Sequence, residues 1–345
     1  MSPFIKNALK FLLFLGIGIG LVYLIIRGIT PENWKKIKVD AVNANYFWIV
    51  VSLVISLFSL IIRAMRWVML IEPIDNKKKP GLLNTFSAVM IGYMANYAIP
   101  RLGEVSRCGV LSRYEKISFA GLVGTVVVER VIDMLMMLLF FLVMLLLSFS
   151  KVYTIVKNKA TTTFEGKWDS IKHINPVILI AITVILVGGA WFMYRKKDHL
   201  FGFAKKFIGN LLGGIKSIGN LKKPFLFWFY SVAIWILYLF SLYVCLFCFT
   251  ETSSLTLSDA LVLLVFSTVG VIAPVPGGIG AYQYIFIAVL THIYQINPEK
   301  AFTLAWITWG SQLVLIVILG LISLVLLPII NENDEARSIA IEDSK

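Results

Sequence analysis

Charge is what this sequence has least of. Only 15% of its 345 residues are Asp, Glu, Lys or Arg, where a soluble domain averages roughly 25%. With 59% hydrophobic residues and a mean hydropathy of +0.85, the chain cannot cover a water-facing surface, and a soluble fold is excluded. Period-2 alternation is also missing, which excludes a transmembrane barrel and leaves helices. Histidine and cysteine are rare, at three each. Cys245 and Cys248 share one face of an apolar run without a second ligand pair, so they read as packing rather than as a redox or metal site. No His/Asp/Ser arrangement, metal-ligand spacing or phosphate-cradling loop followed by Lys-Ser/Thr occurs. Neither catalysis nor a cofactor is expected. Nucleic acid is not expected either, because the net charge of +13 is spread through short loops between apolar runs, where Lys and Arg orient helices and meet anionic headgroups.

Those runs are what the sequence does have. Six approach or exceed the ~20 residues that cross a hydrocarbon core of about 30 Å: 9–26, 44–62, 118–149, 176–194, 225–249 and 301–327. The first begins after Lys6 and Lys10 and ends at Arg27 without a small-residue cleavage site, so it is expected to be retained. Two further segments, 82–113 and 258–294, are broken by Pro and Gly. If both broken segments dip in and return, Lys6, Lys10, the nine Lys/Arg from Arg63 to Lys116, the eight from Arg195 to Lys223, Arg337 and Lys345 fall on one side. That makes 21, with 10 on the other side and Arg130 inside a span. By the positive-inside bias the richer side is cytoplasmic, with both termini; a bacterial inner membrane is expected. Each broken segment then lies between two spans, entering from opposite sides, and the breaks share a Pro-x-x-Gly pattern at Pro100–Gly103 and Pro274–Gly277. The predicted fold is an all-α polytopic membrane protein: one domain over 1–330, with inverted repeats at about 44–149 and 225–327. A basic amphipathic segment at 195–223 lies on the inner leaflet, and a disordered tail runs from 331 to 345.

Charged groups inside such a chain are costly, so where they occur they are paired or used. The first cluster is Asn96-Tyr97-x-x-Pro100-Arg101-x-Gly103-Glu104-x-x-Arg107. Two guanidinium groups flanking one carboxylate suit a headgroup phosphate; the other reading is a solvated loop. The second, Glu129-Arg130-x-x-Asp133, begins about 16 Å into its helix at 1.5 Å per residue. Glu129 and Asp133 share a face, and Arg130 can pair with Asp133. This reads either as a substrate or coupling-ion site or as an interhelical lock with Arg63 or Arg101. The third, Pro274-x-Pro276-Gly277-Gly278-x-Gly280-Ala-Tyr-Gln283, is a glycine turn opening a helix near Ala281, whose free N–H groups can receive an anion. Gly16, Gly18 and Gly20 read as a packing face.

In this order and spacing, with Arg63 and Arg66-Trp67 upstream, the motifs resemble the flippase-like transmembrane family of lysylphosphatidylglycerol synthases. The resemblance runs from about Val50 to Leu326. It implies movement of an anionic or modified phospholipid, or a lipid-linked intermediate, between leaflets; the alternatives are an integral membrane enzyme acting on a lipid-linked substrate, with Glu104, Glu129 and Asp133 as its candidate acids or bases, and an accessory membrane subunit. Membrane lipids would be the partners, with a second copy or a separate lipid-modifying enzyme as further ones. The site it implies comprises Arg101, Glu104, Arg107, Glu129, Arg130, Asp133, Pro276, Gly277, Gly278 and Gly280, with Arg63, Arg66, Asn96, Tyr97 and Gln283 beside them. Two departures stand out. The family pattern usually has Glu where this chain has Gln283, and full-length synthases carry a soluble aminoacyl-transferase domain. The last span here is followed by only about 18 residues, so lysyl transfer is not expected of this polypeptide.

Overall fold

The computed structural model describes residues 16, 18–27, 29–74, 79–100, 102–171, 221–272 and 275–342, with side chains described for these except 149–171 and 332–342. Among them the backbone is helical, with short turns and no strand. We number the helices α1 (18–26), α2 (Pro31–Asn43), α3 (Tyr46–Ile71), α4 (Leu82–Ala98), α5 (Leu102–Glu115) and α6 (Phe119–Ile171). After residue 220 come α7 (Pro224–Cys245), α8 (Thr250–Ser253), α9 (Leu257–Ile272), α10 (Ala281–His292) and α11 (Pro298–Glu342). The chain divides into two compact units, Met1–Leu147 with Leu221–Lys345, and Ser148–Asn220. Of the second, residues 148–171 are described and are helical.

Four stretches are long and apolar enough to cross a membrane: Tyr46–Ile71, Phe119–Ser148, Pro224–Cys248 and Pro298–Asn331. They coincide with four of the runs read from the sequence. The run at 9–26 is described only from residue 16, and 176–194 lies outside the described residues, as does the basic segment up to residue 220. Three boundaries differ. The first span continues past residue 62 to Ile71, because Arg63 and Arg66 are buried and paired inside the bundle rather than marking its edge. α6 runs on through 150–171, expected as a loop, and α11 runs on to Glu342, through most of the expected disordered tail. Pro328 is tolerated inside α11, and no glycine occurs between it and Glu342. A further helix, α2, was not foreseen. Thr30 caps it by accepting from Asn33 N at 3.3 Å, with Pro31 at the first position and Glu32 in the first turn, all favourable at a helix start.

The two broken segments are helical hairpins. At the base of the first, Glu115 at the end of α5 accepts from Gly81 N at 2.9 Å and Asn84 Nδ2 at 2.7 Å, so α5 returns to where α4 began. Near the tip the backbones touch: a Cβ on Gly103 would fall 1.9 Å from the Gly92 carbonyl oxygen, and Gly103 N donates to Asn96 Oδ1 at 2.8 Å. α9 and α10 form the second hairpin, with the Tyr294 hydroxyl reaching back to the Asp259 carbonyl. The bases of the two hairpins lie at opposite ends of the bundle. At one end lie Glu72 with Lys222, and the α4 base tied to α11 through Asn84 and Asn331, whose amides bond reciprocally at 3.1 Å. At the other lie Asn45 with Cys248, Glu251 with Lys300, and Trp34 against Phe302.

α3 packs along α7, α4 against α11, and α10 against α11. A polar seam joins α3 to α7 and α11: Ser241 Oγ lies 2.8 Å from both Ser52 Oγ and Ser56 Oγ, and Gln312 donates to Ser56 Oγ at 2.9 Å. Outward, α6 exposes Leu138, Leu142, Leu146 and Leu147, and α11 exposes Val314, Ile318, Leu321 and Val325. In water such faces would aggregate; in lipid they are solvated.

Candidate functional site

α3 sets Arg63 and Arg66 three residues apart, on neighbouring positions of one face, and α6 does the same for Glu129 and Asp133 four apart. Packing brings those faces together. Arg63 Nη1 lies 2.6 Å from Glu129 Oε1 and 3.0 Å from Asp133 Oδ2. Arg66 Nη2 lies 2.7 Å from Asp133 Oδ1 and 3.5 Å from Glu129 Oε1. The arginines are further held by α7, with Arg63 Nε donating to the Tyr238 hydroxyl and Arg66 Nη1 to Ser231 Oγ. From α5, Arg107 stacks 4.6 Å above the Trp67 ring and brings Nη2 within 3.0 Å of Glu129 Oε2. Trp67 is itself fixed by its indole N–H donating to Thr125 Oγ1 at 2.9 Å. Glu129 is fully buried, and Arg63, Arg66 and Arg107 nearly so.

A buried ion carries a desolvation cost of several kcal/mol that is offset only by close, well-bonded partners. Arg63 has them, and Arg66 has them at both terminal nitrogens although its Nε meets no acceptor among the described residues. Arg107 does not: its Nη2 faces Glu129 without hydrogen-bond alignment, and its Nε and Nη1 meet no acceptor among the described residues. Arg130 lies at the rim of the cluster, with Nε 2.8 Å from Glu104 Oε1 and Nη1 3.9 Å from Asp133 Oδ2. Among the described residues, four guanidinium groups therefore stand against three carboxylates, an excess of one positive charge.

These pairings revise the expected ones. Arg107 turns to Glu129, and Arg130 makes its closer ion pair with Glu104 while keeping a longer one with Asp133. Arg63 supplies the lock, together with Arg66. Asn96 is used in closing the hairpin tip. Arg101 and Pro274 lie outside the described residues. Sequence spacing missed Tyr238 and Ser231 on α7, since a single hydroxyl on an apolar helix gives no signal of its partner.

The glycine turn meets the first hairpin at its tip. Gly277 has φ 56°, and a Cβ there would fall 2.2 Å from the Tyr97 ring. Trp309 packs edge-on to Tyr97 and donates its indole N–H to the Gly277 carbonyl at 2.9 Å. Behind the turn α1 lies against Ile279 and Gly280 at Gly18, while Gly16 and Gly20 meet nothing, so the expected packing face reduces to one glycine. The buried Gln283 Oε1 accepts from Gly280 N at 2.7 Å and caps α10.

The model of the lysylphosphatidylglycerol synthase transmembrane region matches residues 8–320. The chain belongs to that family. No curated protein and no solved structure matches it at a significant level. As a lysylphosphatidylglycerol synthase transmembrane-region protein it is a multi-pass membrane protein with a lipid-related role. The Gln283 amide oxygen takes the N–H that a carboxylate oxygen at this position would take.

Proposed function

We propose that the protein translocates an anionic phospholipid or lipid-linked intermediate between leaflets, as a transporter and not as an enzyme. The observation that carries this reading is the excess guanidinium charge beside the first hairpin, with Arg107 buried and short of acceptors. A buried guanidinium that shares one carboxylate with two other arginines is left short of acceptors, which favours a visiting anion, and the anion a membrane offers is a headgroup phosphate. The two hairpins, with bases at opposite ends and touching at Tyr97 and Gly277, supply paired discontinuous elements of the kind that transporters use. The end bearing Lys116, Lys222 and Lys223 faces the cytoplasm on the positive-inside bias.

Reconstitution tests it. Wild-type protein in liposomes carrying headgroup-labelled phosphatidylglycerol should expose inner-leaflet label to a membrane-impermeant quencher faster than protein-free liposomes. Arg107→Ala, checked for monodispersity, should lose most of that rate. A wild-type rate equal to that of empty liposomes, or an undiminished Arg107→Ala rate, would refute the reading.

A further inference from the structure

Of the ion pairs in the cluster, one is built differently. Arg63, Arg66, Arg107 and Glu129 have side chains at most 5% exposed, whereas Arg130 and Glu104 are 40% and 38% exposed. Their contact is close, at 2.8 Å, but Arg130 Nε–H is not aimed at the carboxylate and makes no hydrogen bond. The fork is also unfilled on its other side, where Nη1 stands 3.9 Å from Asp133 Oδ2, too far for a hydrogen bond. A half-exposed pair held by charge without alignment contributes little to stability and opens at low cost.

Glu104 is placed to let go. It sits in the first turn of α5, just past the break between α4 and α5, where the helix dipole favours a carboxylate whether or not Arg130 is near. Released, it is solvated and dipole-stabilised. Arg130, on the long helix α6, stays in place and offers a planar fork that matches two phosphate oxygens better than it now matches one carboxylate.

We propose that Glu104 is an internal stand-in for the substrate, occupying Arg130 until the phosphate of a lipid displaces it. This rests on the translocator reading and narrows its ligand to a phosphodiester, whose single negative charge takes the place of the Glu104 carboxylate beside Arg130. Glu104 thereby sets affinity: it competes with the headgroup at loading and returns to Arg130 at release.

The consequence runs against intuition, since deleting a site residue strengthens binding. Native mass spectrometry of the purified full chain with phosphatidylglycerol, and with zwitterionic phosphatidylcholine as control, reads it directly. Glu104→Gln should retain phosphatidylglycerol about 3- to 5-fold more strongly than wild type, the ratio expected when a pair of this class no longer competes. Arg130→Ala should retain less, and the double variant no more than Arg130→Ala alone. Arg130→Lys keeps the charge and loses the fork, so it should fall between, which guards against a variant that merely misfolds. An added arm with excess inorganic phosphate separates sources: stripping of bound lipid means that free phosphate fills the site as well. Glu104→Gln retention equal to or below wild type, or a gain that persists without Arg130, overturns the proposal. Should the Arg130-dependent gain appear while no lipid crosses in liposomes, the translocator reading fails and the stand-in remains.

Discussion

At Glu129 three guanidinium groups, from Arg63, Arg66 and Arg107, converge on one carboxylate that has no exposed surface. Neutralising it leaves Asp133 alone to balance them, and uncompensated buried charge costs about 3–5 kcal/mol. Glu129→Gln should therefore lower the thermal unfolding midpoint in detergent sharply. Arg130→Ala, at the exposed rim, removes a pair of a class worth at most about 1 kcal/mol and should move the midpoint little. Equal drops for the two variants would contradict this division of the cluster into a fixed core and a mobile rim. The sequence alone assigns the buried role to Arg130, because Glu129-Arg130-x-x-Asp133 shows a pair at i, i+3. It shows the carboxylates' shared face correctly. It cannot show that α3 and α5 deliver three other arginines to that face, since the partner of a buried charge is chosen by tertiary packing.

Between elements, the legible features are those written in local chemistry. Four spans follow from apolar length, and both hairpins follow from breaks at Pro100–Gly103 and Pro274–Gly277. What escaped was written weakly: α2 is polar and short, and its start at Thr30-Pro31-Glu32 is visible only to capping rules. The continuation of α6 past Ser148 is a polar, Lys- and Thr-rich stretch in which helix and loop read alike. The meeting of the tips was legible only as a pairing of breaks. Its stereochemistry is specific, because Gly277 combines a left-handed backbone with a ring in contact at the place of its missing Cβ. Gly277→Ala adds about 1–2 kcal/mol of backbone strain and a clash with Tyr97. It should slow lipid crossing in liposomes and lower the melting midpoint. Adding Tyr97→Ala should restore part of the midpoint by removing the clash while the strain remains. No recovery at all would mean that Tyr97 does not press on the turn.

For the molecule as a whole, all the cluster's ions, Arg63 to Asp133, come from the first sequence segment of the larger unit, and the turn that touches the hairpin tip comes from the second. Among the described residues the two segments are joined by packing of α3 on α7, α4 on α11 and α2 on α11, and by the Ser52, Ser56, Ser241 and Gln312 bonds. A peptide link raises the local concentration of two segments, and confinement to one bilayer already does much of that. A polypeptide cut between Lys197 and Asp198 and produced as two separate fragments should reassemble in the membrane. Affinity purification through a tag on either fragment should recover the other in a one-to-one ratio, with lipid crossing intact; recovery of the tagged fragment alone would show that the tether is indispensable. Such reassembly would make the fold a complementation pair joined in one chain, a form open to fission, swapping of halves and insertion at the join.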